Sequence, residues 1–102
     1  MIFEQLVWQI IHQIPSGQVA TYGQIAKLAG YPNHARAVGR VLKHLPSDTT
    51  LAWHRVINAQ GKITFAFDSV PYQTQRALLS SEEITFINEK ISLKTYGWLN
   101  QN

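Results

Sequence analysis

Apolar residues open the chain at three- and four-residue steps: Phe3, Leu6, Val7, Ile10, Ile11 and Ile14. That spacing places them on one face of an amphipathic helix, with Glu4, Gln5, Gln9, His12 and Gln13 filling the other. Pro15 stops the helix and Ser16-Gly17 turns the chain. Thr21 followed by Gln24 has the form of a capping box, in which each side chain satisfies the other residue's backbone N–H. Ile25, Ala26, Leu28 and Ala29 carry a short second helix, which Gly30 ends with Pro32 just beyond. Asn33 is placed to cap a third helix over about residues 34–44. One face of it holds Ala35, Val38, Val41 or Leu42, and Leu45. The other holds Arg36, Arg40 and Lys43.

After a loop over 46–50, the chain reads Leu-Ala-Trp-His-Arg-Val-Ile-Asn from Leu51 to Asn58. The apolar flanks predict a buried backbone, so the polar tips of Trp53, His54 and Arg55 need partners. Such a segment is either a satisfied structural kink or the floor of a site. Residues 55–57 and 62–65 read as two strands around Asn58-Ala59-Gln60-Gly61, a hairpin in the position of a wing. Residues 66–71 read as irregular, and 72–79 as a helix with Gln73 and Arg76 outward. Ile84, Phe86, Ile91 and Leu93 alternate around Glu89-Lys90, as in a small hairpin or an irregular tail. Trp98 and Leu99 are expected to dock the C-terminal end. The pattern as a whole predicts a mainly α, winged helix-turn-helix-like domain with a small β-hairpin, one domain over residues 1–102.

Composition narrows the chemistry. With 102 residues and 45% hydrophobic content the chain can bury a real, if small, core. Nine Lys plus Arg against six Asp plus Glu give net +3, which fits either a polyanion partner or a solvated basic surface. The absence of cysteine excludes disulfides, thiolate metal sites and thiol nucleophiles. The four histidines, His12, His34, His44 and His54, have no ligand spacing, so no metal site is expected. No phosphate-binding glycine loop or nucleophile elbow is present, and no cofactor is expected. The N-terminal stretch lacks a positive leader and a long apolar run, which makes a cytoplasmic protein the default expectation. Glu82 and Glu83 are adjacent and diverge on a regular element. His54 beside Arg55 reads as a general base or as a satisfied structural histidine, the second being the commoner case.

Two short helices joined by a glycine-containing turn form a helix-turn-helix pattern, and a basic second helix suits a helix lying on DNA. Ala35, Ala37 and Gly39 make that helix slim. Gly39 costs about 1 kcal/mol of helix stability against Ala, so a close approach to another backbone would give it a purpose.

Three collinear motifs carry a resemblance. Thr21-Tyr22-Gly23-Gln24-Ile25-Ala26, Ala35-Arg36-Ala37-Val38-Gly39 and Trp53-His54-Arg55-Val56 look like the DNA-binding domain of O6-alkylguanine-DNA alkyltransferases, from about Phe3 to Glu82. That family's last motif reads Pro-Cys-His-Arg-Val. Here Trp53 stands at the acceptor cysteine and Ala52 at the proline, so suicide alkyl transfer is chemically impossible for this chain. The pattern is similar to alkyltransferase-like proteins, non-enzymatic relatives that bind alkylated guanine and flag it for nucleotide excision repair.

The resemblance implies roles residue by residue. Tyr22 would help rotate the target nucleotide. Arg36 would enter the base stack, and Ala35 and Gly39 would let the helix sit close in the minor groove. Arg40 and Lys43 would add positive charge towards DNA. Trp53, His54, Arg55 and Val56, with Tyr22 and the lid residue Ser69, would line the lesion pocket. No residue is assigned a catalytic role. Val70 and Pro71 replace the lid's paired glycines, Leu45 replaces an asparagine, and Arg40 replaces a second glycine. Glu82 aligns with the family's acid and is given a structural role. The implied partners are duplex DNA containing O6-alkylguanine and nucleotide excision repair proteins, with the protein acting as a monomer. Two other classes remain open: a winged-helix regulator of undamaged DNA, and a glycosylase using His54 or Glu82.

Overall fold

The protein is described by a computed structural model over residues 2–99. The opening apolar stripe forms α1 (Phe3–Gln13), whose last turn is closed by a bond from Ile14 N to Ile11 O before Pro15. Val7, Ile11 and Ile14 are fully buried. Each such side chain contributes about 1.5–3 kcal/mol by leaving water. They pack with Ile25 and Ala26 of α2 (Tyr22–Leu28) and Val38 of α3 (Ala35–Lys43), so the helix pair is mounted on α1.

Between α1 and α2 lies β1 (Ala20–Thr21), which pairs in parallel with β2 (Val56–Ile57). The short ladder divides the interior, because successive strand side chains point to opposite faces. Ala20 and its partner Val56 join the helix core, whereas Val19 and Ile57 join Leu79, Ile84 and Ile91 in a second cluster. The motif at Trp53 leads straight into β2 and is therefore held by both cores.

The remaining elements are α4 (Val70–Ser81), the antiparallel pair β3 (Phe86–Ile87) and β4 (Lys90–Ile91), and the short α5 (Leu93–Tyr96). Residues 96–98 return beside Val19, just before β1: Val19 N donates to Tyr96 O at 2.9 Å and Trp98 N to Val19 O at 2.7 Å. Glu89 in the β3–β4 turn accepts from Arg76 and from the Tyr72 hydroxyl, at 2.8 and 2.6 Å, clamping the hairpin to α4. The Arg76 guanidinium also lies 4.3 Å above the Phe86 ring.

The mainly α, winged helix-turn-helix-like expectation holds, with the antiparallel hairpin at β3–β4. The wing expected over 55–65 does not form. β2 pairs with β1 instead, and residues 62–65 make no strand. The Asn58 carboxamide takes the N–H groups of Gln60 and Lys62, curling the chain into a loop that meets β4 through Ile91 N and Gly61 O at 2.8 Å.

Local expectations are also corrected. His34, not Asn33, is the residue preceding α3, and its side chain makes no capping bond. Its N–H is turned back onto Tyr31 O, and its ring packs on Tyr31 and Phe3. Only half of the capping box exists. Thr21 accepts from Gln24 N at 3.0 Å, but the Gln24 amide reaches across to Trp98 O at 2.7 Å. α4 begins at Val70, two residues before the expected helix, because Ser69 caps it. Arg76 is half-buried through its pair with Glu89, and Leu99 is exposed, which leaves Trp98 as the C-terminal anchor.

Candidate nucleic-acid interface

Trp53–Arg55 form a single tight helical turn. Three residues complete such a turn, so consecutive side chains point about 120° apart. Trp53 goes one way. His54 and Arg55 leave on the two other sides of the turn, and both reach Glu82, just past the end of α4. His54 Nε2 donates to Glu82 Oε2 at 2.6 Å, Arg55 NH2 donates to the same oxygen at 2.9 Å, and Gly17 N donates to Glu82 Oε1 at 2.9 Å. Arg55 NH1 also donates to Ile14 O at 2.8 Å, closing the end of α1. Burial works against the Glu82 carboxylate. The donors from Arg55, His54 and Gly17 outweigh it and hold its pKa down to about 2.

On the other side of Trp53 opens a cavity of about 540 Å³. This lies within the range of small-ligand sites, roughly 300–1,000 Å³. One wall is the exposed side of α3: Ala35, Arg36, Gly39, Arg40 and Lys43. A Cβ on Gly39 would meet no protein atom, so internal packing does not require the glycine; its bare backbone faces the opening. Arg36, Arg40 and Lys43 are exposed and form no salt bridge with other described residues. The opposite wall is aromatic. Trp53 and Phe65 meet edge to face, with ring centroids 6.1 Å apart. Tyr22 at the start of α2 completes the rim, its hydroxyl 3.1 Å from Thr64 Oγ1. Val56 and Gln75 form the floor.

A cationic helix face beside an aromatic-lined hollow suits a polyanion whose flat ring leaves its stack. Comparison with known proteins agrees. Residues 2–84 match the family model for the DNA-binding domain of 6-O-methylguanine DNA methyltransferase. A DNA base-flipping protein of Vibrio parahaemolyticus is 47% identical over 92 residues, covering 90% of this chain and 91% of that one. Alkyltransferase-like protein 1 of Schizosaccharomyces pombe is 40% identical over 101 residues, covering 94% of each. The chain belongs to the alkyltransferase-like family. Its fold also matches the crystal structure of Schizosaccharomyces pombe Atl1 in complex with damaged DNA containing O6-carboxymethylguanine. That match has a TM-score of 0.86 at 37% identity, covering 96% of this chain and 95% of that one.

In this alkyltransferase-like chain the expected DNA-facing residues Tyr22, Ala35, Arg36, Gly39, Arg40 and Lys43 share one cavity with the pocket residues Trp53 and Val56. His54, Arg55 and Ser69 do not line it. The turn geometry sends His54 and Arg55 to Glu82. The Ser69 hydroxyl is occupied as the cap of α4, accepting from Tyr72 N at 3.2 Å and donating to Ala66 O at 2.7 Å. Thr64, Phe65 and Gln75 were not singled out in the sequence. Thr64 and Phe65 were hidden in the supposed wing strand, and Gln75 among polar positions of a helix.

Proposed function

We propose that this protein binds O6-alkylguanine in duplex DNA by turning the nucleotide out of the stack into the cavity beside Trp53. It leaves the alkyl group in place. The observation that carries this reading is the join between Arg36, free on the slim face of α3, and a hollow walled by Trp53 and Phe65. Flipping costs a few kcal/mol of stacking and pairing, least for a base that pairs badly. A guanidinium entering the stack offsets part of that loss. The aromatic corner then receives the base and its alkyl substituent.

Two features support binding without transfer. The chain has no cysteine. Trp53 fills the position that the sequence motif assigns to the acceptor, and its indole carries no nucleophile for alkyl transfer. A lesion that is held and not repaired in place needs another process to remove it. The protein thus acts as a monomeric cytoplasmic flag for nucleotide excision repair.

The test is a titration against matched duplexes carrying O6-methylguanine or guanine at one salt concentration, followed by mass analysis of the recovered DNA. Tighter binding to the lesion with the methyl group retained is the expected result. Equal affinity for the two duplexes would instead identify a regulator of undamaged DNA, and a missing methyl group or base would reveal an enzyme.

A further inference from the structure

The wall of the cavity opposite α3 follows the loop at 58–62. Lys62 N donates to the Asn58 carboxamide at 2.9 Å, and Asn58 N donates to Lys62 O at 3.1 Å. Gly61 ties the same loop to β4 through Ile91 N. Beyond it burial alternates as in an extended run: Lys62 is exposed, Ile63 is buried and Thr64 is exposed. Positions two apart in such a run share a face, so Lys62 stands on the side of Thr64. Thr64 lines the cavity and meets the Tyr22 hydroxyl at its rim. Two residues span at most about 7 Å, which keeps the Lys62 backbone close to that rim. The charges on this stretch are otherwise committed. Between Pro46 and Glu89 the Lys and Arg residues are Arg55, Lys62 and Arg76. Arg55 is paired with Glu82 and Arg76 with Glu89, whereas Lys62 forms no salt bridge with a described residue. Lys62 is therefore the cation this wall can offer to a phosphate.

We infer that Lys62 holds a phosphate of the lesion strand only once the nucleotide has turned out. The inference rests on the flipping reading above and adds a contact specific to the flipped state. In a stacked duplex the backbone runs along the cationic face of α3. A nucleotide inside the cavity draws its sugar and flanking phosphates away from that helix, to the mouth between Tyr22 and Thr64. Lys62 there meets a charge that was out of its reach before. An ammonium on a flexible stem suits this task, because it acts as a point charge and needs no fixed geometry. A contact made in one state alone shifts the population towards that state. Lys62 is thus a positioning residue for flipping, whereas Arg40 and Lys43 on α3 hold the duplex in either state.

The test titrates the wild type, Lys62→Ala and Lys62→Arg against O6-methylguanine and guanine duplexes at several salt concentrations. Lys62→Ala should weaken lesion binding by about three- to fivefold and guanine binding by less than about twofold. The slope of log affinity against log salt should fall by about 1 for the lesion duplex alone. Lys62→Arg keeps the charge and should restore both. The side chain takes part in no bond of the fold, so all three proteins are expected to melt together. A single methylphosphonate, moved through the phosphates of both strands, then locates the contact. One position on the lesion strand should weaken the wild type and leave Lys62→Ala unaffected. Equal losses on the two duplexes, an unchanged affinity, or a position on the complementary strand overturns the inference and leaves lesion binding standing. A wild type without preference for O6-methylguanine over guanine overturns both.

Discussion

The carboxylate of Glu82 lies 2.6 Å from Nε2 of His54, so the residue next to Trp53 is tied to the far end of α4 and away from the cavity. Arg55 and Gly17 converge on the same carboxylate, which makes Glu82 the joint between α1, the Trp53 turn and α4. Glu82→Gln leaves the three donors of His54, Arg55 and Gly17 facing an uncharged amide. It should lower unfolding stability by about 3 kcal/mol, the lower end of the range for a broken buried ion pair. The pH dependence has a fixed sign. The folded pKa is depressed from 4.5 to about 2, so the stabilisation is complete above 4.5 and is lost as pH falls through about 2. Urea unfolding between these limits should show a steeper acid loss for the wild type than for the glutamine variant. Parallel curves would remove Glu82 from its structural role.

Arg36 is exposed on α3 and forms no salt bridge with a described residue, so the fold does not depend on its charge. Arg36→Ala should change stability by no more than about 0.5 kcal/mol. Affinity for an O6-methylguanine duplex should fall by about tenfold or more if the guanidinium replaces lost stacking. Paired urea melts and titrations check both halves. An unchanged affinity would take Arg36 out of the stack.

Lys43 stands further along the same helix face and is suited to a phosphate, which carries no base information. Lys43→Ala should weaken binding to lesion and control duplexes by the same factor. It should also reduce the slope of log affinity against log salt by about 1. Titrations at several salt concentrations measure the slope. A loss confined to the lesion duplex would place Lys43 at the base instead.

The helices and the basic face were legible in the sequence because both follow from a 3.6-residue period that no distant contact had to supply. Ala35, Arg36, Gly39 and Arg40 are neighbours on α3 whatever the rest of the chain does. The apolar pair Val56 and Ile57 also signalled burial correctly. Their partner was not readable, because parallel pairing with Ala20 and Thr21 spans more than thirty intervening residues and leaves no local turn signal. The same limit hid the role of His54 and Arg55. Adjacency in sequence suggested one pocket, whereas a three-residue turn separates their directions from that of Trp53. Gln75 looked like an ordinary helix residue until the carbonyls of His54 and Val56 lay beside it.

Gly61 has a φ of +79°, and a Cβ there would press into the carbonyl group of Ile91. Any side chain must push the 58–62 loop off β4 and break the 2.8 Å bond from Ile91 N to Gly61 O. Gly61→Ala combines left-handed strain with a backbone clash, so a loss of about 2 kcal/mol or more is expected. Amide exchange should show the β3–β4 hairpin opening before the helix core, because Ile91 packs in the second cluster only. Uniform exchange across both clusters would show that they unfold as one unit.

Trp53→Cys asks whether a thiol alone can restore alkyl transfer. An ordinary cysteine has a pKa near about 8.5 and is mostly unionised at neutral pH, so it needs a base or a cationic partner at hand. His54 is adjacent in sequence but is turned to Glu82 and does not line the cavity that Trp53 walls. The half-buried Leu45 offers no polar group to help. The variant should also lose the edge contact with Phe65 and bind the lesion more weakly. After incubation with an O6-methylguanine duplex, the protein mass should be unchanged and the methyl group should remain on the DNA. Stoichiometric methylation of the protein would show that the site still activates a thiol, and that the indole of Trp53 alone separates this chain from a transferase.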